Sequence, residues 1–154
     1  MKHEIYRETL NTGNKSAEIR KWIEDQVVVN PEGRLNEYSK TRREVGAQYT
    51  VPDVEPFEFL FRRINQLCTP TDVWINYNPP GARNMPHFHV GGDYAGCWYF
   101  QVPDDSGYLM FETGEKFQPL PTELFMWDAR RLHWVTTNVG CGPRISIAFT
   151  GKRK

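Results

Sequence analysis

The spacing of apolar residues changes period at Pro70, and that change limits the folds open to this chain of 154 residues. Upstream, Phe57, Leu60, Phe61, Ile64 and Leu67 recur at helical spacing behind Pro56, a residue suited to a first helical position. Thr69-Pro70 ends that helix, because the residue before a proline is pushed toward extended backbone. An earlier helix is predicted over Ala17 to Gln26, capped by Ser16, with Ile19, Trp22, Ile23 and Val27 on one face. The turn Asn30-Pro31-Glu32-Gly33 follows it, and the polar stretch from Ser39 to Gln48 reads as a mobile loop. Downstream of Pro70 the period is two, cut at short intervals by Gly and Pro. Strands are predicted at Asp72 to Tyr77, near His87 to Val90, and at Ala95 to Val102, Tyr108 to Glu112, Glu123 to Trp127, His133 to Thr137 and Arg144 to Phe149. Short strands in such a series build a sandwich or a closed barrel, with the helices on one outer face. An aromatic content of 14% supports a mainly β fold with N-terminal helices. With no internal repeat, residues 1–154 read as one domain, a helical part over 1–70 and a β core over 71–150.

Charge and cysteines remove several functions. Lys+Arg 19 cancels Asp+Glu 19, so no global field holds a nucleic acid, and Gly151-Lys152-Arg153-Lys154 reads as a solvated terminus. Cys68, Cys97 and Cys141 are scattered and odd in number, which points to a reducing, cytoplasmic setting rather than a disulfide framework. Charge interrupts the N-terminus at once, and no apolar run reaches the length of a membrane span.

Chemistry concentrates in the β half. His87 and His89 are two residues apart, a spacing that puts both imidazoles on one face of an extended segment. His133 opens a later strand and can supply a third nitrogen to the same divalent metal. A lone His-x-His is usually just two packed histidines. Here Pro79, Pro80, Gly81 and Pro86 before it and Gly91-Gly92 after it make a stiff frame that suits a metal site. Arg144 and Ser146 alternate on a strand, so they share one face; a guanidinium fork with a neighbouring hydroxyl suits a carboxylate.

In their order, Pro86-His87-Phe88-His89, Leu132-His133-Trp134 and Arg144-Ile145-Ser146 resemble the iron(II)- and 2-oxoglutarate-dependent oxygenases, most of all small prolyl hydroxylase-like members. The resemblance runs from Trp74 to Phe149. It implies a double-stranded β-helix (a jelly roll, as in cupins), an Fe(2+) ion held by His87, His89 and His133, and 2-oxoglutarate held by Arg144 and Ser146. Tyr77, ten residues before His87, and Tyr99, on the aromatic strand after the metal loop, are its further candidate cosubstrate contacts. The implied reaction consumes O2 and hydroxylates an unidentified substrate, with release of succinate and CO2. Members of the family often dimerise, so the resemblance leaves a homodimer open. One departure stands out: the second ligand position, acidic in most of the family, is His89. Three neutral imidazoles leave the metal its full charge and also suit zinc. Asp93, four residues on, is an alternative carboxylate ligand or a cap for the turn at Gly91-Gly92. Gly81, His87, His89 and Asp93, with His133, also resemble the motifs of a cupin-type metal protein that does not use 2-oxoglutarate, but that reading leaves Arg144 and Ser146 without a duty. A non-enzymatic β-sandwich that binds protein or peptide leaves the histidines unexplained.

Overall fold

The computed structural model describes residues 4–34 and 46–154. Two antiparallel sheets face one another, and two helices cover the outer face of the larger sheet. The strands are β1 (Tyr6–Thr9), β2 (Ala47–Thr50), β3 (Thr69–Asn78), β4 (Asn84–His87), β5 (Tyr94–Gln101), β6 (Leu109–Phe111), β7 (Lys116–Phe117), β8 (Glu123–Asp128), β9 (His133–Val135) and β10 (Arg144–Lys152). The helices among the described residues are α1 (Ser16–Val29) and α2 (Glu58–Leu67). The larger sheet runs β1-β8-β5-β10-β3-β2 and the smaller β4-β9-β6-β7.

The N-terminal part departs from a purely helical reading. It contributes β1 and β2, each closing one edge of the larger sheet. Ala47–Thr50 pairs with β3, so the end of the predicted polar loop is a strand; positions 39–45 of that loop lie outside the described residues. Ser16 is the first residue of α1 rather than its cap, a position taken by Lys15 without a side-chain bond. Pro56 lies in the turn before α2, whose N-cap is Phe57. Thr69-Pro70 opens β3 directly, because Cys68 has already turned to extended backbone.

Two apolar clusters hold the layers together. On the helix side, Ile19, Ile23, Leu60 and Ile64 meet Ile75, Trp98, Leu124, Ile147 and Phe149. Between the sheets, Ala95, Cys97, Tyr99, Phe125 and Trp127 meet Leu109 and Phe111. The strands that serve both clusters alternate strictly. On β10, Ile145, Ile147 and Phe149 face the helices, which turns Arg144, Ser146 and Ala148 toward the smaller sheet. Arg144 and Ser146 thus sit on the middle of the larger sheet, where β10 is flanked by β3 and β5.

Candidate active site

The three predicted ligands converge. His87 ends β4 and His133 begins β9, and the two are direct partners in the ladder. Their ring centroids are 4.3 Å apart. His89 stands beyond the end of β4, so strand alternation alone does not place it. Its backbone N–H donates to Ala129 O at 2.9 Å, and that bond brings its ring within 4.9 Å of His87 and 5.2 Å of His133. One ligand nitrogen from each of the three lies within 4.8 Å of the others. Asp93 stands apart from this group: its Oδ2 accepts the Arg153 backbone N–H at 2.6 Å.

The tautomers of two ligands follow from their neighbours. His87 Nδ1 lies 2.6 Å from Met85 O and His133 Nδ1 lies 3.0 Å from Arg131 O. A carbonyl only accepts, so each Nδ1 carries the proton and each Nε2 keeps its lone pair for a metal. His89 instead packs near Trp74, with ring centroids 6.0 Å apart. Burial lowers all three basicities, His89 to about 4 and His133 to about 3, with the neighbouring His87 adding to the effect in both. At neutral pH the cluster is three uncharged imidazoles. Trp127 lies edge-on to His133 at 4.9 Å, and Phe111 stands behind both.

Arg144 is 3% exposed. Its Nη2 donates to Tyr99 Oη at 3.2 Å, and its guanidinium carbon lies 5.1 Å from the Tyr99 ring centroid. Nη1 is buried with no protein partner, and no carboxylate among the described residues pairs with Arg144. Ser146 is buried beside it on the same face, close to the Cys97 thiol. Burial pushes the Tyr99 phenol upward, so it stays protonated. A buried, unpaired guanidinium is costly unless a ligand completes it, and a carboxylate matches its fork.

Tyr77 is the candidate that the structure sets apart. It pairs with Ile145, not with Arg144, and packs against the helix-side cluster. Asn76, Asn78 and Trp74 take the inward positions on β3 instead. Asn76 Oδ1 accepts from Gln48 and Trp74, while Asn78 Oδ1 is buried without a partner. The asparagines show no motif in the sequence; their link to Arg144 appears only through the β3–β10 register. Of the tryptophans, Trp127 lines the site and Trp98 lies in the helix-side core. Arg130 is paired with Asp128 on the surface.

The donor set fits a divalent first-row metal, since three neutral nitrogens converge and two have fixed tautomers. The inner face also fits a carboxylate, through the unpartnered Arg144 Nη1 with Ser146 and Tyr99.

No family model matches the chain, and no curated protein matches it by sequence. Solved structures do match its fold. A prolyl-4-hydroxylase from Pseudomonas putida aligns over 98% of this chain and 94% of its own, with TM-score 0.77 and 14% identity. The 2-oxoglutarate complex of a viral collagen prolyl hydroxylase from Paramecium Bursaria Chlorella virus-1 covers 94% of each chain, with TM-score 0.66 and 15% identity. A non-heme α-ketoglutarate-dependent epimerase of nogalamycin biosynthesis covers 97% of this chain and 78% of its own, with TM-score 0.70 and 14% identity. The shared element is the jelly-roll fold; the neighbours carry out more than one reaction on it.

Proposed function

We propose that this chain is an iron(II)- and 2-oxoglutarate-dependent dioxygenase that hydroxylates an unidentified substrate, with release of succinate and CO2. One observation carries the reading: a buried, unpaired Arg144 shares the space between the sheets with the face on which three neutral imidazoles converge. A cupin-type metal protein needs only the histidines and leaves Arg144 buried at a cost with no return.

Each residue has a defined task. His87, His89 and His133 hold the metal through neutral nitrogens; the carbonyls of Met85 and Arg131 keep two of them in the ligating tautomer. Arg144 binds the distal carboxylate of 2-oxoglutarate through Nη1, and Ser146 donates a further hydrogen bond. Tyr99 supports the guanidinium from behind and stays protonated. Trp127 and Phe111 exclude water on the His133 side. When bound, the iron and its keto acid supply the oxidation: O2 is reduced as 2-oxoglutarate is decarboxylated, and one oxygen atom enters a C–H bond of the substrate. With His89 in place of an acid, the described residues contribute no negative charge to the metal.

The test is turnover by anaerobically Fe(II)-loaded protein given 2-oxoglutarate and air. Succinate should form slowly without substrate, and His133→Ala should abolish it. Succinate formation equal in wild type and His133→Ala, or none with any divalent metal, rejects the reading.

A further inference from the structure

The segment that carries His133 is fastened to the opposite strand by a buried guanidinium. Arg131 is 6% exposed. Its Nη2 donates to both carboxylate oxygens of Glu115 at 3.0 and 3.1 Å, and to Thr113 Oγ1. Its Nε lies 3.5 Å from Glu112 Oε1, and its guanidinium carbon lies 4.7 Å from the Phe111 ring centroid. These four residues belong to β6 and the turn into β7. Phe111 is the ladder partner of His133, and the Glu112 N–H donates to Leu132 O at 3.1 Å. The clamp therefore grips both sides of the one carbonyl that matters to the ligand: Arg131 O, which accepts from His133 Nδ1.

We propose that Arg131 is a positioning residue for His133: paired with Glu112 and Glu115, its side chain fixes the carbonyl that keeps the His133 proton on Nδ1 and Nε2 free for a metal. The inference rests on the metal-centre reading above. If the clamp is released, the 131–133 segment shifts, the Nδ1–H···O bond weakens and the other tautomer becomes populated. That tautomer carries its proton on Nε2 and cannot ligate through it. His87 provides an internal control, because its acceptor is Met85 O on β4, which the clamp does not touch.

The test uses metal-free protein with 15N-labelled imidazoles, followed by anaerobic titration with Co(II). Wild-type protein should show His87 and His133 both protonated at Nδ1. Arg131→Met should mix the tautomers at His133 alone and weaken Co(II) about tenfold, the low end of the range for outer-shell partners of a metal ligand. Arg131→Lys should recover part of that loss, since an ammonium reaches one carboxylate but not both. A double Glu112→Gln, Glu115→Gln variant retains Arg131 but removes both of its counter-charges, and decides the matter if Arg131→Met does not fold. It should give the same change at His133, smaller in size. A folded variant of either kind, with its His133 tautomer unmoved and Co(II) affinity within twofold of wild type, overturns the proposal. Failure of the metal reading looks different: wild-type protein then takes up no Co(II), and the inference falls with it.

Discussion

The two faces of the larger sheet are made by alternate residues of the same strands, yet they are built for different ends. The helix side of β10 and its neighbours is Ile75, Trp98, Leu124, Ile147 and Phe149, all fully enclosed and apolar. The inward side of the same strands holds Arg144, Ser146, Asn76, Asn78, Cys97 and Tyr99, also buried but mostly polar. The buried atoms without partners follow the same division. Among the described residues of the larger sheet, Arg144 Nη1, Asn78 Oδ1 and Trp127 Nε1 are on the inward side, and none is on the helix side. Native proteins rarely leave such atoms unmet unless something else satisfies them. The helix side thus secures the fold, whereas the inward side leaves buried polar atoms unmet, which costs stability.

Substitutions on the two faces should therefore separate stability from binding. Ile147→Ala empties a site that is 0% exposed in the helix-side core and should cost about 2–5 kcal/mol by chemical denaturation, with 2-oxoglutarate affinity of the folded fraction unchanged. Arg144→Met should do the reverse. Removing an unpaired buried charge in favour of an apolar chain of similar length should leave the metal-free protein as stable as wild type or more so. A loss of more than about 2 kcal/mol in Arg144→Met, on the scale of a broken core contact, would erase the contrast between the faces.

A smaller effect comes from pH. The imidazoles of the metal-free protein stay neutral when folded, His89 down to about 4 and His133 to about 3, whereas an unfolded chain protonates near the ordinary value of about 6.5. Below that value the unfolded state binds more protons. Stability should be level above pH 7 and fall between pH 6.5 and 4, on the order of 1 kcal/mol per pH unit from His133, the most enclosed of the three. A His133→Phe variant should flatten that fall, as read by urea midpoints across the range. Equal slopes in both proteins would mean that His133 titrates normally when folded.

Much of the fold is legible in the sequence, and the gaps have physical causes. The helix periods of α1 and α2 and the alternation in β3, β5, β8 and β10 mark long elements with one clear apolar face. β1 and β2 have four residues each and owe their existence to partners distant in the chain, β8 and β3, while β7 has two residues and pairs only with its neighbour β6. Local pattern cannot reveal them. His87, His89, His133 and Arg144 stand out as residue types with few other uses in such a frame. The inward or outward direction of Tyr77 depends on the β3–β10 register, which no local spacing encodes, so the tyrosine falls on the helix side. His89 reaches its place for a different reason from the one its spacing suggests. A loop bond to Ala129 brings it in, not the pleat of a strand.

In the proposed function, the inward face holds a dicarboxylate beside a metal, with Arg144 as its charged anchor among the described residues. Titrating 2-oxoglutarate into anaerobic Fe(II)-loaded protein and following the metal-to-ligand charge-transfer band tests it directly. Wild type should develop the band and saturate. Arg144→Met should need roughly 30-fold more 2-oxoglutarate or fail to saturate, since losing one partner of a buried charged pair costs about 2–5 kcal/mol at about 1.4 kcal/mol per decade. Absence of the band in wild type, or equal affinity in Arg144→Met, would contradict the account.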